Sequence, residues 1–350
     1  MSEIARVMQS PSAPPRLISC DDLLALLRAE IPPLAPTPVP LSQLRPGLVA
    51  AGLSGPAVGL PAAPLALRAG YALRSDELIG ATPQSPVLRL TPPPLVEAGE
   101  TLPEGADAVL DPTALRRSGA FYEISVETWP GEGVLPAAHH LAPGAALLAE
   151  GEVIGPAHLL LLAMAGVAEV PCRIPRVAIS GGDPAARGYL TALVQSSGEA
   201  VTEGGSDIRL QLDTAPLAEG SWTCEGLALN GLQPVAVAHS GAGVTIRFAP
   251  RPELLALVAL ALLLPLLDHL SRRRLPQSLA MPLSRKISSP VGMSEIILLR
   301  REGAAWTPLP SGEISLAALS AAEALLRIPA GEEGWAAGHI IAPESPGRRL

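Results

Sequence analysis

Lysine is almost missing from this chain: of 25 basic residues, only Lys286 is not arginine. A guanidinium keeps its proton at physiological pH, so a lysine base or Schiff base has one candidate. Lys286 follows Arg285 in a polar stretch and reads as a solvated surface group. Aromatic residues make up 3% of the chain against 48% apolar, so the cores must be built from Leu, Val, Ile and Ala. The three cysteines, Cys20, Cys172 and Cys224, lie far apart without CxxC spacing. That argues against a disulfide framework or a zinc site and suits a cytoplasmic protein. A basic surplus is lacking as well. A formal net charge of -8 and a pI near 5.3 disfavour nucleic acid as a partner. The N-terminal MSEIARVMQSPSAPP has no apolar h-region, so a secretory leader is not expected. The longest apolar run, Leu254 to Leu267, has about 14 residues where a membrane span needs about 20. It also contains Pro265 and reads as a buried or interface helix, so no membrane partner is implied.

What is present points to several domains. A chain of 350 residues exceeds one ordinary core. Its 39 Pro and 33 Gly are spread through apolar segments, which predicts many short elements joined by turns. Ser19 and Asp22 resemble a capping box ahead of an amphipathic helix from about Cys20 to Glu30, ended by Pro32 and Pro33. Residues 34 to 65 read as an extended connector with short strands, and Ala66 to about Leu141 as a small all-β module. Pro156 starts and Gly166 stops a short helix. VAEVPCRIPRVAIS predicts two strands broken by Pro171 and Pro175. RVAIS then runs into Gly181-Gly182-Asp183 and a helix, the opening of a βαβ unit. Further strands and a helix over 253 to 270 complete an α/β region. The tail reads as a small β domain carrying EIILLRR, ISLAALSAAEALLRIP and AGHIIAP.

Several strings taken in order resemble one family. ALRAGYALRSDEL (66 to 78) is similar to its MDGYAVR segment, and TLPEGADAVL (101 to 110) to its LPEGADAVV. The stretch from Pro130 to Asp183 follows PGENVRPAGEDVKAGDVLL…LASLGIAEVPV…PRVAILSTGDE, and 317 to 343 is similar to its closing SLAxANGLIVLPEG…GE pattern. These are motifs of the molybdopterin molybdenumtransferases, known as MoeA in bacteria and as the E domain of gephyrin. The resemblance implies a multidomain α/β plus β fold: an elongated MoeA-like protomer with a three-layer α/β domain, an inserted β module and a C-terminal small β-barrel-like domain. The implied divisions are 16-50 with 142-173 as a discontinuous linker domain, 51-141 as the β module, 174-274 as the α/β domain and 275-350 as the C-terminal domain. It also implies a homodimer paired head to tail, with each site between the α/β domain of one protomer and the β module of the other.

The family's reaction inserts molybdate into adenylylated molybdopterin and releases AMP. Such chemistry needs carboxylates for a divalent cation such as magnesium, donors for phosphates and a pocket for molybdate. Within the matched motifs, Ser180, Gly181 and Gly182 read as a phosphate cradle at a strand-to-helix turn. Asp183 reads as the catalytic and metal-binding carboxylate, and Glu132 and Asp213 as further cofactor contacts. On residue types alone, Asp183 reads more readily as the cap of a helix after a plain strand-to-helix turn. The departures are many. Ala69 replaces the Asp of DGYA, and Ala98 the Thr of TGA. Leu135, His139 and His140 fall on the Arg and acidic positions of NVRPAGED, and Pro184 on the Glu after the Gly-Asp turn. Where a DSN segment is due, Arg187-Gly188-Tyr189 lie nearby. Leu212 to Pro216 stand in for SGGxSxGxxD, Gly231-Leu232-Gln233-Pro234 for PGKP, and Phe248 to Pro252 for LPGNP. The expectation is therefore a degenerate member with weak or no molybdate insertion. It would bind the cofactor or serve a molybdoenzyme or another molybdenum cofactor biosynthesis protein. Alternatives are an active transferase with a reorganised site, and an interaction protein that binds no pterin.

Outside those motifs, His139-His140 reads as a solvated pair whose rings, on an extended segment, point to opposite sides. His158 and His269 read as caps or surface groups, and His239 and His339 as strand residues without an acidic or Cys partner. Arg272 to Arg274 read as a solvated turn after a helix. Glu104 and Asp107 read as turn residues with a structural role. No GxSxG, Walker or HExxH pattern occurs.

Overall fold

The computed structural model describes residues 17–201, 204–215, 222–240, 243–310 and 314–344. The leader reading of MSEIARVMQSPSAPP and the expectation for Pro216 lie outside the described residues. The chain divides into two compact units. One comprises Met1–Gly52, Ala149–Pro156 and Glu169–Leu350; the other comprises Leu53–Leu148 and Ala157–Ala168.

The first unit begins with helix α1 (Cys20–Glu30), where the Ser19 hydroxyl oxygen accepts the Asp22 N–H at 3.0 Å, as its capping sequence predicts. Leu23, Leu24 and Leu27 fall on one helical face and are buried. Strands β1 (Thr37–Pro40), β2 (Val49–Leu53), β3 (Leu148–Val153) and β4 (Glu169–Arg173) form a sheet in the order β1-β4-β2-β3. Here one expectation is corrected: Pro171 does not break its strand but lies inside β4, opposite Pro38 of β1. Antiparallel strands alternate between residue pairs that exchange N–H···O bonds and pairs that do not. Facing prolines fit only the second kind, and β2 joins β4 only from Cys172 onward, so no ladder bond is lost.

A six-stranded sheet follows. It comprises β5 (Arg176–Gly181), β6 (Glu199–Val201), β7 (Ile208–Leu212), β8 (Trp222–Glu225), β9 (Ala236–Ser240) and β10 (Gly243–Arg247), in the order β6-β5-β7-β10-β9-β8. The first four of that order run parallel, and β9 and β8 run antiparallel beside them. Helix α2 (Pro184–Gln195) makes the crossover from β5 to β6, burying Ala186, Leu190, Leu193 and Val194 at helical spacing. The apolar run becomes part of α3 (Pro252–Ser271), 20 residues long, with 83% of its most apolar stretch buried inside the protein. A helix apolar on all sides needs such a setting. Its centre, Ala259–Leu263, is a π-helical turn in which the Leu264 N–H reaches the Ala259 carbonyl. Pro265 follows directly; it has no N–H, and its ring would meet the carbonyl four residues back in a regular helix. The wider turn accommodates it.

The tail contributes β11 (Glu295–Glu302), flanked by β12 (Ala305–Pro308) and β13 (Ala324–Ile328), and two two-stranded sheets. The ISLAALS part of the expected β segment contains helix α4 (Leu316–Ala321), because Ser315 caps the Ala318 N–H at 3.1 Å and Ala and Leu favour helix.

The second unit is built of short strands, as its punctuation predicts. Gly70–Leu73 is flanked by Leu95–Val96 and Ala108–Leu110, and Phe121–Ile124 by Val87–Arg89 and Leu115–Ser118. Asp107 serves this framework: its carboxylate accepts the Ser75 N–H at 2.7 Å and the Ser75 hydroxyl at 2.9 Å. The short helix Pro156–Met164 ends ahead of Gly166, which has φ +68°.

Candidate functional site

In the parallel part of the six-stranded sheet, Gly181 lies opposite Leu212 and Gln211 opposite Arg247. The carboxyl ends of β5, β7 and β10 therefore share one edge, the place where open α/β sheets receive ligands. Ser180, Gly181, Gly182, Asp183 and Asp213 come together there. Glu132 belongs to the second unit, where it accepts from Arg68 at 3.0 Å and from the Trp129 N–H at 3.3 Å.

At the turn after β5, Gly181 and Gly182 have φ of +73° and +65°, which an L side chain rarely adopts. A Cβ on Gly181 would stand 2.7 Å from the Leu212 carbonyl oxygen, and one on Gly182 2.6 Å from the Leu212 side chain. Both glycines are therefore required by the close passage of β7. The donors a phosphate would use are largely engaged. Gly182 N–H donates to Leu212 at 3.2 Å, Pro184 has no N–H, and Ala186 N–H donates to Asp183 Oδ1 at 2.7 Å. Asp183 is thus the N-cap of α2. The Ser180 hydroxyl lies 3.4 Å from the Leu210 carbonyl.

Two arginines that the sequence reading did not weigh as site residues close this edge. Arg187 Nη1 donates to the carbonyls of Gly181 at 3.2 Å and Gly182 at 3.0 Å. Arg247 Nη1 donates to Thr214 at 3.1 Å and also to Ala215, while Nη2 lies 3.9 Å from Glu225. The available signal for Arg187 was its place four residues after a capping Asp, on the first turn of the helix. Nothing local marked Arg247. Asp213 accepts from Gln211 Nε2 at 3.1 and 3.3 Å and from the Ala215 N–H at 2.9 Å, closing an Asx turn. A hard divalent cation takes several oxygen ligands. Among the described residues, no three His, Cys, Asp or Glu side chains are grouped to hold a metal ion. Asp183 and Asp213 are the carboxylates this edge would offer a magnesium ion together with substrate oxygens, and each already accepts a backbone N–H.

Three readings away from the edge are corrected. His239 has an acidic partner: its Nδ1 is 2.9 Å from Glu30 Oε2, a carboxylate at the end of α1 that only the tertiary fold brings to β9. The turn after α3 is not simply solvated. Arg272 takes a left-handed φ of 53° and pairs with Glu150 at 3.1 Å, and Arg273 is 11% exposed, 3.8 Å from Asp268. The His139-His140 rings do not point apart but meet edge to face at 5.2 Å, because Ala138, at φ 58°, places the pair in a turn. His269 behaves as a cap, its Nε2 lying 2.7 Å from the Ile31 carbonyl. Lys286 is exposed. Burial pushes the thiols of Cys20 up to about 12 and of Cys172 and Cys224 up to about 11, so none is a nucleophile at neutral pH.

Residues 18–166 match the family described as MoeA N-terminal region (domain I and II). Over 158 residues the chain is 31% identical to molybdopterin molybdenumtransferase 2 of Mycobacterium tuberculosis (strain CDC 1551 / Oshkosh), a match covering 40% of this chain. The chain spans only 38% of the length of the curated relatives it matches. The fold is similar along 95% of the chain to all of the molybdopterin biosynthesis MoeA protein from Pyrococcus horikosii, with TM-score 0.67 and 18% identity. It is similar along 94% of the chain to all of a molybdenum cofactor biosynthesis protein from Pyrococcus furiosus, with TM-score 0.57 and 16% identity.

Proposed function

We propose that this chain is a MoeA-family protein, a reading supported by the match over residues 18–166 and by the similarity of its fold, and that it serves molybdenum cofactor biosynthesis by binding molybdopterin, with little or no molybdate insertion of its own. One observation carries the second half of the proposal. The carboxylate that the family motif places beside the glycine turn, Asp183, gives its Oδ1 to the cap of α2, with Arg187 beside it on the glycine carbonyls. Asp213 is likewise turned into its own loop. What the edge offers a ligand is positive charge. Arg187 is exposed beside the turn, and Arg247 presents a guanidinium that is 15% exposed. Guanidinium groups suit the phosphate of a pterin or of its adenylylated form by paired hydrogen bonds. Binding and orientation are thereby supported where insertion is not. In this reading the protein is a cytoplasmic homodimer of the four-part protomer set out above, and it delivers to a molybdoenzyme or another biosynthesis protein.

Calorimetric titration with molybdopterin tests the proposal. Stoichiometric binding that weakens about tenfold in Arg187→Gln, as loss of a charge-assisted hydrogen bond implies, supports it. Absence of binding would favour an interaction protein that uses no pterin. Turnover with molybdate and magnesium at the rate of an ordinary transferase would restore the active reading.

A further inference from the structure

Within the first unit, a cavity of about 560 Å³ opens among α1, α3, the stretch after α3, β13 and Glu344. None of the residues at the carboxyl edge of the sheet lines it. Its size falls in the range of small-molecule sites, about 300–1,000 Å³. Leu260, Leu264, Leu275 and Leu325 give it an apolar wall. Arg327 of β13 lines it with a side chain only 12% exposed. Among the described residues, its ion-pair partners are carboxylate oxygens of Asp21 and Glu344, each 3.8 Å away and beyond hydrogen-bond reach. Arg327 Nη1 is buried and has no hydrogen-bond partner among the described residues.

Buried charged donors in folded proteins are ordinarily satisfied, and one that is not asks for an explanation. The two flanking carboxylates do not supply it. Asp21 and Glu344 are 69% and 57% exposed, so water screens them far more than it screens Arg327. The positive charge also reaches the buried Cys20 thiol, where it opposes the upward push of burial. Arg28 adds a second guanidinium at the lining, and Arg273, paired with Asp268, a third. The combination is an apolar wall with a partly compensated cationic group at its inner face.

We propose that this cavity binds a small organic anion, its carboxylate or phosphate head on Arg327 and its apolar body along Leu260, Leu264 and Leu275. A guanidinium matches either head with two parallel hydrogen bonds. The site is separate from the sheet edge and does not depend on a pterin being bound there.

The test uses the full chain and four probes: hexanoate, hexyl phosphate, hexanamide and hexanol, titrated by calorimetry or ligand-observed NMR. Hexanoate or hexyl phosphate is expected to bind about tenfold or more tightly than the uncharged pair, and the stronger of the two identifies the head group. Arg327→Gln should remove that preference and leave hexanamide unchanged. Glu344→Gln, at an exposed position, should strengthen anion binding by removing a competing carboxylate. Equal binding of hexanoate and hexanamide, failure of all four to bind, or anion binding indifferent to Arg327→Gln would each overturn the proposal. Should Arg327→Gln not fold, the Glu344→Gln titration decides: unchanged or weaker anion binding counts against the site.

Discussion

The Asp183 carboxylate accepts the Ala186 N–H at 2.7 Å, and a group so placed can hold a helix, a cation or both. Substitution separates these roles. Asparagine caps as well as aspartate, whereas alanine costs about 1 kcal/mol at such a position. Denaturant unfolding should therefore show Asp183→Ala less stable by about that amount and Asp183→Asn nearly unchanged. A cation role would show the reverse ranking in function, with Asn damaging ligand handling while stability holds. Gly181 obeys a harder constraint. With φ +73° and a carbonyl oxygen 2.7 Å from any added Cβ, Gly181→Ala should lose about 1–3 kcal/mol. The thiols give a pH prediction. Cys20, Cys172 and Cys224 are shifted upward from 9.0, so between pH 9 and about 11 the unfolded chain sheds thiol protons that the folded chain keeps. The folded state then binds more protons, and stability must fall as pH rises through that window. Unfolding free energies at pH 8 and pH 10.5 check this, and Cys20→Ala should reduce the decline.

Elements differ in how much of their cause is local. The caps of α1 and α2, the Pro156 start and Gly166 stop of the short helix, and the β5 turn were all legible, because each is fixed by residues within a few positions. Pro171 was misread because its partner, Pro38, lies far away in the chain and supplies the reason it is tolerated. Helix α4 was hidden by an apolar composition shared with neighbouring strands, and only its Ser315 cap distinguishes it. Helix α3 was recognised as buried from its short apolar run, but its π turn depends on how Pro265 is accommodated. Its centre holds much of the first unit together. Leu263 is 0% exposed, so Leu263→Ala should cost about 2–5 kcal/mol, measured by chemical denaturation. A loss well below that range would mean that the π turn lets the helix close over the cavity.

For the whole molecule, the order of motifs along the chain carried the fold, because a backbone framework needs the same glycines, prolines and apolar strands wherever it is used. The site was legible only as positions. That Ser180 to Asp183 and Asp213 meet at one edge follows from the βαβ reading. That Asp183 caps α2, that Asp213 folds into its own turn and that Arg187 and Arg247 stand beside them follow from side-chain directions that no local string contains. In the proposed function, a framework suited to a pterin is kept while the acidic groups on its sheet edge serve the framework itself. AMP release from adenylylated molybdopterin, followed with magnesium and molybdate at enzyme concentrations above those of substrate, tests this most directly. The account predicts bound pterin and no burst of AMP; a stoichiometric burst dependent on both magnesium and molybdate would contradict it.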